Sequence, residues 1–75
     1  MNNIDNWYEV RADGEKVAAF APISRDASTK AFELIEAMPS SSYWKDKVLQ
    51  VVAIYTDRDW RDEEIIHEEH PTVIE

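Results

Sequence analysis

Between residues 7 and 21, two runs of apolar and aromatic positions flank Asp13-Gly14. Asp-Gly is the favoured pair for a tight type I′ turn, because both central residues need positive φ. Gly14 is also the only glycine in the chain. Residues 7–21 therefore read as a β-hairpin with Asp13 and Gly14 as its loop. That register sets Ala12 opposite Glu15, Val10 opposite Val17, Tyr8 opposite Ala19 and Trp7 opposite Phe20. One face then carries Tyr8, Val10, Val17 and Ala19 and reads as core. The other carries Trp7, Ala18 and Phe20, with Glu9, Arg11 and Lys16 nearer the turn. A Trp7–Phe20 pair predicts a small apolar patch at the open end of that face.

The period then changes from two to 3.6. Pro22 ends the second strand, Ser24 suits a helix N-cap, and Asp26 suits the first turn of the dipole. Ala27, Ala31, Leu34, Ile35 and Met38 form an apolar stripe at i, i+4, i+7, i+8 and i+11. Lys30, Glu33 and Glu36 lie off it, and Phe32 sits on its shoulder. Pro39 closes the helix, and the serines at 40–42 form a loop. Residues 48–55 are β-branched and almost continuously apolar, the pattern of a strand covered on both sides. Their hydrophobicity exceeds what one helix and one hairpin face need, which points to a self-association surface. Residues 56–59 read as a turn. Residues 60–67 fit either a short helix or an edge strand around Ile65-Ile66, and a fourth strand over 63–69 is preferred. Pro71 breaks it, leaving a short apolar tail.

The order β-β-α-β, with a further C-terminal strand, predicts an α+β fold: a small antiparallel sheet with one helix packed on one face. No second helix exists to cover the other face. Either the C-terminal segment folds back over it or a partner does.

At 75 residues the chain is a single domain, 1–75, with residues 70–75 as a frayed tail or a strand offered to a partner's sheet. A core this small gives a stability of about 5 kcal/mol. There is no cysteine, hence no disulfide and no thiolate metal ligand, which fits a cytoplasmic protein. The polar, acidic first residues do not read as a secretory leader, and the apolar run at 48–55 is far too short to cross a bilayer. A catalytic pocket needs more walls than this length supplies. No Gly-x-Ser-x-Gly and no glycine-rich phosphate loop occurs, and no motif ties a histidine to the serines at 40–42. An enzyme is not expected, nor is a cofactor.

Two motifs come close to metal sites and miss. His67-Glu68-Glu69-His70 spaces its histidines three apart, where a zincin needs four, and a strand would send the rings to opposite faces. Asp57, Asp59 and Asp62 resemble the start of a calcium loop, but Arg61 and Asp62 stand where an oxygen ligand and a glycine are required. No metal ligands are assigned.

Charge is the strongest compositional fact. Sixteen acids against eight bases give net −8. Residues 57–75 hold eight of the acids and two of the bases, so −6 falls in the last quarter. Such a surface repels nucleic acid and anionic membrane and steers toward basic protein surfaces, while also serving solubility. Tyr43-Trp44 beside Lys45 and Lys47 is a small aromatic-basic cluster, but stacking on nucleic acid also needs a positive groove. Direct nucleic-acid binding is therefore not expected. Trp60, set between Asp59 and Arg61, has the character of an interface anchor ringed by acids.

In size, acidity and lack of cysteine the chain resembles the small phage-encoded proteins that disable bacterial defence enzymes, the anti-CRISPR and DNA-mimic anti-restriction proteins. The likeness lies in composition, covers no diagnostic motif and carries over no functional residue. It implies a mechanism in which carboxylates fill a lysine- and arginine-lined channel that normally holds phosphate. The expected function is a non-catalytic acidic protein-binding module, an inhibitor or regulator of a nucleic-acid-handling protein with a basic surface. The contact is assigned to Asp57, Asp59, Trp60, Asp62, Glu63, Glu64, Glu68 and Glu69. Two alternatives stand beside it: a homodimer or larger homo-oligomeric assembly subunit, and a metal-dependent small module.

Overall fold

A computed structural model describes residues 5–71. The expected tail at residues 72–75 lies outside the described residues. Strands β1 (Asp5–Ala12) and β2 (Glu15–Phe20) are followed by helix α1 (Arg25–Ala37), a single 3-10 turn at Met38–Ser40, and strands β3 (Leu49–Asp57) and β4 (Trp60–Glu69). The sheet is antiparallel throughout, in the order β2-β1-β3-β4. This is the α+β architecture that the patterning predicts, one sheet with one helix on one face.

The first turn forms as the sequence dictates, with Asp13 at φ 50° and Gly14 at φ 84°. Ala12 pairs with Glu15 and Arg11 with Lys16, but Val10 then pairs with Ala18, so Val17 is the extra residue of a β-bulge. The bulge slips the rest of the hairpin by one residue. Tyr8 faces Phe20, and Glu9 faces Ala19. Because side chains alternate with period two, a one-residue slip carries everything beyond it to the opposite face. Phe20 joins Tyr8 and Val17 against the helix-side core, so the expected Trp7–Phe20 patch does not form. The slip has a packing reason: Val17 and Phe20 both reach the core.

Ser24 caps α1 from an extended backbone, its Oγ accepting from the Ala27 N–H at 3.1 Å. Ala27, Ala31, Ile35 and Met38 of the stripe are buried, and Leu34 and Phe32 flank them. Ala31, Ile35 and Met38 meet Val10 and Ala12 of β1 and Leu49 and Val51 of β3. The β1–β2 turn is tied to the start of β3. The Asp13 N–H donates to the Val48 carbonyl at 2.8 Å, and Asp13 Oδ1 accepts from the Val48 N–H at 2.8 Å. Trp44 pins the preceding loop onto the core, with Tyr43 edge-on against it at 4.4 Å.

β3 is buried on both faces, as its apolar run predicts. Leu49, Val51 and Ala53 face the helix. Val52 and Ile54 point the other way, yet each has 0% exposure. No element covers them among the described residues. A closed ring of five side chains crosses above them instead. Trp7 Nε1 donates to Glu9 Oε2 at 2.9 Å, and Glu9 Oε1 accepts from Arg11 Nε at 2.8 Å. Arg11 Nη2 lies 3.0 Å from Glu63 Oε1, and Glu63 Oε2 accepts from Arg61 Nε at 2.9 Å. The Arg61 guanidinium then lies 5.6 Å from the centre of the Trp7 ring. Trp7, Glu9 and Arg11 come from β1, and Glu63 and Arg61 from β4, so the ring spans β3. The face expected to need a folded-back segment or a partner thus carries a roof of paired long side chains, whose apolar stems cover Val52 and Ile54.

Candidate functional site

β3 turns into β4 through Arg58 and Asp59, with Asp57 paired to Trp60 across the turn. Asp57 Oδ1 accepts from the Arg58 N–H at 2.7 Å and so fixes the turn. β4 therefore begins at Trp60, three residues before the strand start that the sequence predicts. The weak apolar pattern hid this stretch, because β4 is an edge strand and all but two of its residues are exposed.

The strand parity sorts the eight expected contact residues. Asp57, Trp60, Asp62, Glu64 and Glu69 lie on the helix-bearing side of the sheet, opposite or in line with Tyr55, Ala53 and Leu49. Glu63 and Glu68 lie on the roofed side, and Asp59 is in the turn. The acids do not form one patch. Glu63 belongs to the ring. Glu68 takes a hydrogen bond from Gln50 and another contact from His70 Nε2 at 2.8 Å. Glu69 meets His67 Nε2 at 2.8 Å. What remains together is Trp60 with Asp57, Asp59, Asp62 and Glu64 around the β3–β4 hairpin. Trp60 is 46% exposed. Among the described residues, Asp59, Asp62 and Glu64 have no ion-pair partner. α1 packs on β1, β2 and β3. On β4, His67 reaches the helix, its ring standing edge-on to Phe32 at 5.3 Å.

The electrostatics follow the same division. Bonds from Arg61 and Arg11 hold the Glu63 carboxyl below the usual glutamate range. Bonds from Gln50 and His70 do the same for Glu68. These two are occupied carboxylates, structural rather than available. The residues that the sequence did not assign to the site are Tyr55, beside Asp62, and the exposed pair Ile65 and Ile66. Two isoleucines inside an acidic run, in a strand too polar to be central, were the available signal.

His67 and His70 each engage a separate carboxylate, and among the described residues no three histidine, aspartate or glutamate side chains converge as a metal site would need. Two surface depressions of about 410 Å³ each are present. One is bounded by Pro39, Lys47, Leu49 and His70, the other by Asn6, Trp7 and Pro22. No helix of the described residues is long and apolar enough to cross a membrane. Comparison with protein-family models, curated proteins and solved structures finds no match for this chain.

Proposed function

We propose that the chain is a non-catalytic acidic binding protein that docks on a basic surface of another protein through its β3–β4 hairpin. The observation that carries this reading is Trp60, 46% exposed and set among Asp57, Asp59, Asp62 and Glu64. A large exposed aromatic with unanswered carboxylates around it suits a pocket that is apolar at its centre and lysine- or arginine-rich at its rim. The natural owner of such a surface is a nucleic-acid-handling protein, whose phosphate channel the carboxylates would occupy. The chain then acts as its inhibitor or regulator, in a cytoplasmic setting. Glu63, Glu68 and Glu69 leave the contact set, because each already holds an arginine, a glutamine or a histidine within the fold.

The test is affinity capture from a lysate at low and high salt, with wild type beside the variant Asp59→Lys, Asp62→Lys, Glu64→Lys. The expected result is a basic nucleic-acid-binding protein recovered at low salt by wild type, released at high salt, and absent with the variant. Undiminished capture by the variant would end the electrostatic reading. Glu63 is deliberately left intact, so that a loss of binding does not reflect a broken roof.

A further inference from the structure

β4 is the longest strand of the sheet and has no neighbour on its outer side among the described residues. Its outer backbone N–H and C=O groups are therefore open to a further strand. The regular part runs from Trp60 to Ile65, before the bulge at Ile66 where Val51 pairs with His67 and Val52 with Ile65. On the helix-bearing side this stretch presents Trp60, Asp62 and Glu64. On the roofed side Arg61 and Glu63 are already paired, and Ile65 is left 55% exposed.

A second copy of the chain gains little from charge in the registers that bring its exposed isoleucines together. Antiparallel self-pairing centred between the two isoleucines sets Asp62 against Glu69 and Glu63 against Glu68, and two-fold symmetry repeats both clashes. Centring on Ile66 sets Glu63 against Glu69 and Glu64 against Glu68, while centring on Ile65 sets Asp62 against Glu68 and Arg61 against Glu69, one clash and one attraction. Like charges directly opposite destabilise a sheet. The acids act here as a guard against self-association.

The complementary strand is one of opposite sign and matching period. Basic residues at alternate positions meet Asp62 and Glu64 on one side of the sheet, and apolar residues between them meet Ile65 on the other. We infer that the free edge of β4 accepts an extended partner segment of alternating basic and apolar residues as a fifth strand, adding backbone hydrogen bonds to the charge contact. This rests on the proposed docking of a basic partner and specifies how it engages.

The test uses two peptides of equal charge, Lys-Val-Lys-Val-Lys-Val-Lys and Lys-Pro-Lys-Pro-Lys-Pro-Lys, titrated into isotope-labelled protein at low salt. The prolines keep the charge but remove alternate N–H donors and exclude strand pairing. The valine peptide should bind at least about tenfold tighter. It should also slow exchange of alternate amides between Trp60 and Ile65. Equal affinity with no amide protection overturns the fifth strand and leaves charge docking standing. Failure of both peptides to bind overturns the two together. Protection of β4 amides in the protein alone, rising with concentration and accompanied by a dimeric mass, overturns the inference in favour of a second copy.

Discussion

Arg11 and Glu63 belong to strands that do not touch, yet Arg11 Nη2 lies 3.0 Å from Glu63 Oε1, across the full width of β3. The contact requires both side chains to lie along the sheet rather than stand off it. Lying flat, they bury Val52 and Ile54 beneath them. A one-helix domain thereby covers both faces of its central strand.

Replacing Arg11 by alanine should cost about 3 kcal/mol in urea unfolding, because Glu9, only 7% exposed, would lose its cation. Arg11→Lys should recover only part of the loss, since an ammonium cannot bridge Glu9 and Glu63 with a planar fork. A change of less than about 0.5 kcal/mol for Arg11→Ala would show that the ring does not hold the roof.

Acid should weaken the same ring. Burial alone pushes the Glu9 carboxyl up, but bonds from Trp7 and Arg11, with the charges of Arg11 and Lys16, outweigh it and leave the carboxyl below the usual glutamate range. Glu63 is lowered as well. Folded values below the unfolded one stabilise fully above the unfolded value, about 4.3, and the contribution is lost as pH falls through the folded values. The stability gap between wild type and the double variant Glu9→Gln, Glu63→Gln should be constant above about pH 5.5 and shrink below about pH 4. A gap that does not change with pH would place the acid sensitivity in other carboxylates.

Asp13 does two jobs, adopting positive φ in the turn and accepting from the Val48 N–H. Asparagine can do both, whereas alanine can do neither. Asp13→Ala should cost about 1–2 kcal/mol and Asp13→Asn a few tenths, measured by thermal or urea unfolding. Equal losses would mean that the carboxylate charge, through Lys47, matters more than the turn geometry.

Much of this fold was legible in the sequence. The Asp13-Gly14 turn, the helix stripe from Ala27 to Met38 and the doubly buried β3 each follow from local chemistry and period. Two features were not. The bulge at Val17 is decided by whether Val17 and Phe20 can both reach the helix, a tertiary fit that no local window contains. The roof joins Arg11 to Glu63 across an intervening strand, between residues more than half the chain apart in sequence. For the same reason the acidic run looked uniform in sequence, while β4 parity and the ring divide it into occupied and available carboxylates.

Trp60→Ala should leave stability within about 0.5 kcal/mol of wild type, since the ring is half exposed at a hairpin end. Capture of the basic partner should fall about tenfold or more if Trp60 is the central anchor. Unchanged capture by a folded variant would move the contact away from the hairpin.

The ring of Trp7, Glu9, Arg11, Glu63 and Arg61 is electrically closed, because its two guanidiniums cancel its two carboxylates. Seen from a distance, the ring adds no net charge to that side of the molecule. Carboxylates without an ion-pair partner among the described residues, Glu33, Glu36, Asp62 and Glu64, stand exposed on the opposite side and at the rim. A lopsided field exerts a torque as well as a pull. A polycation coming within about 8 Å, the screening length at physiological salt, turns the molecule as it draws it in. The roof thus biases which side of this protein arrives first, before any side chain has made contact.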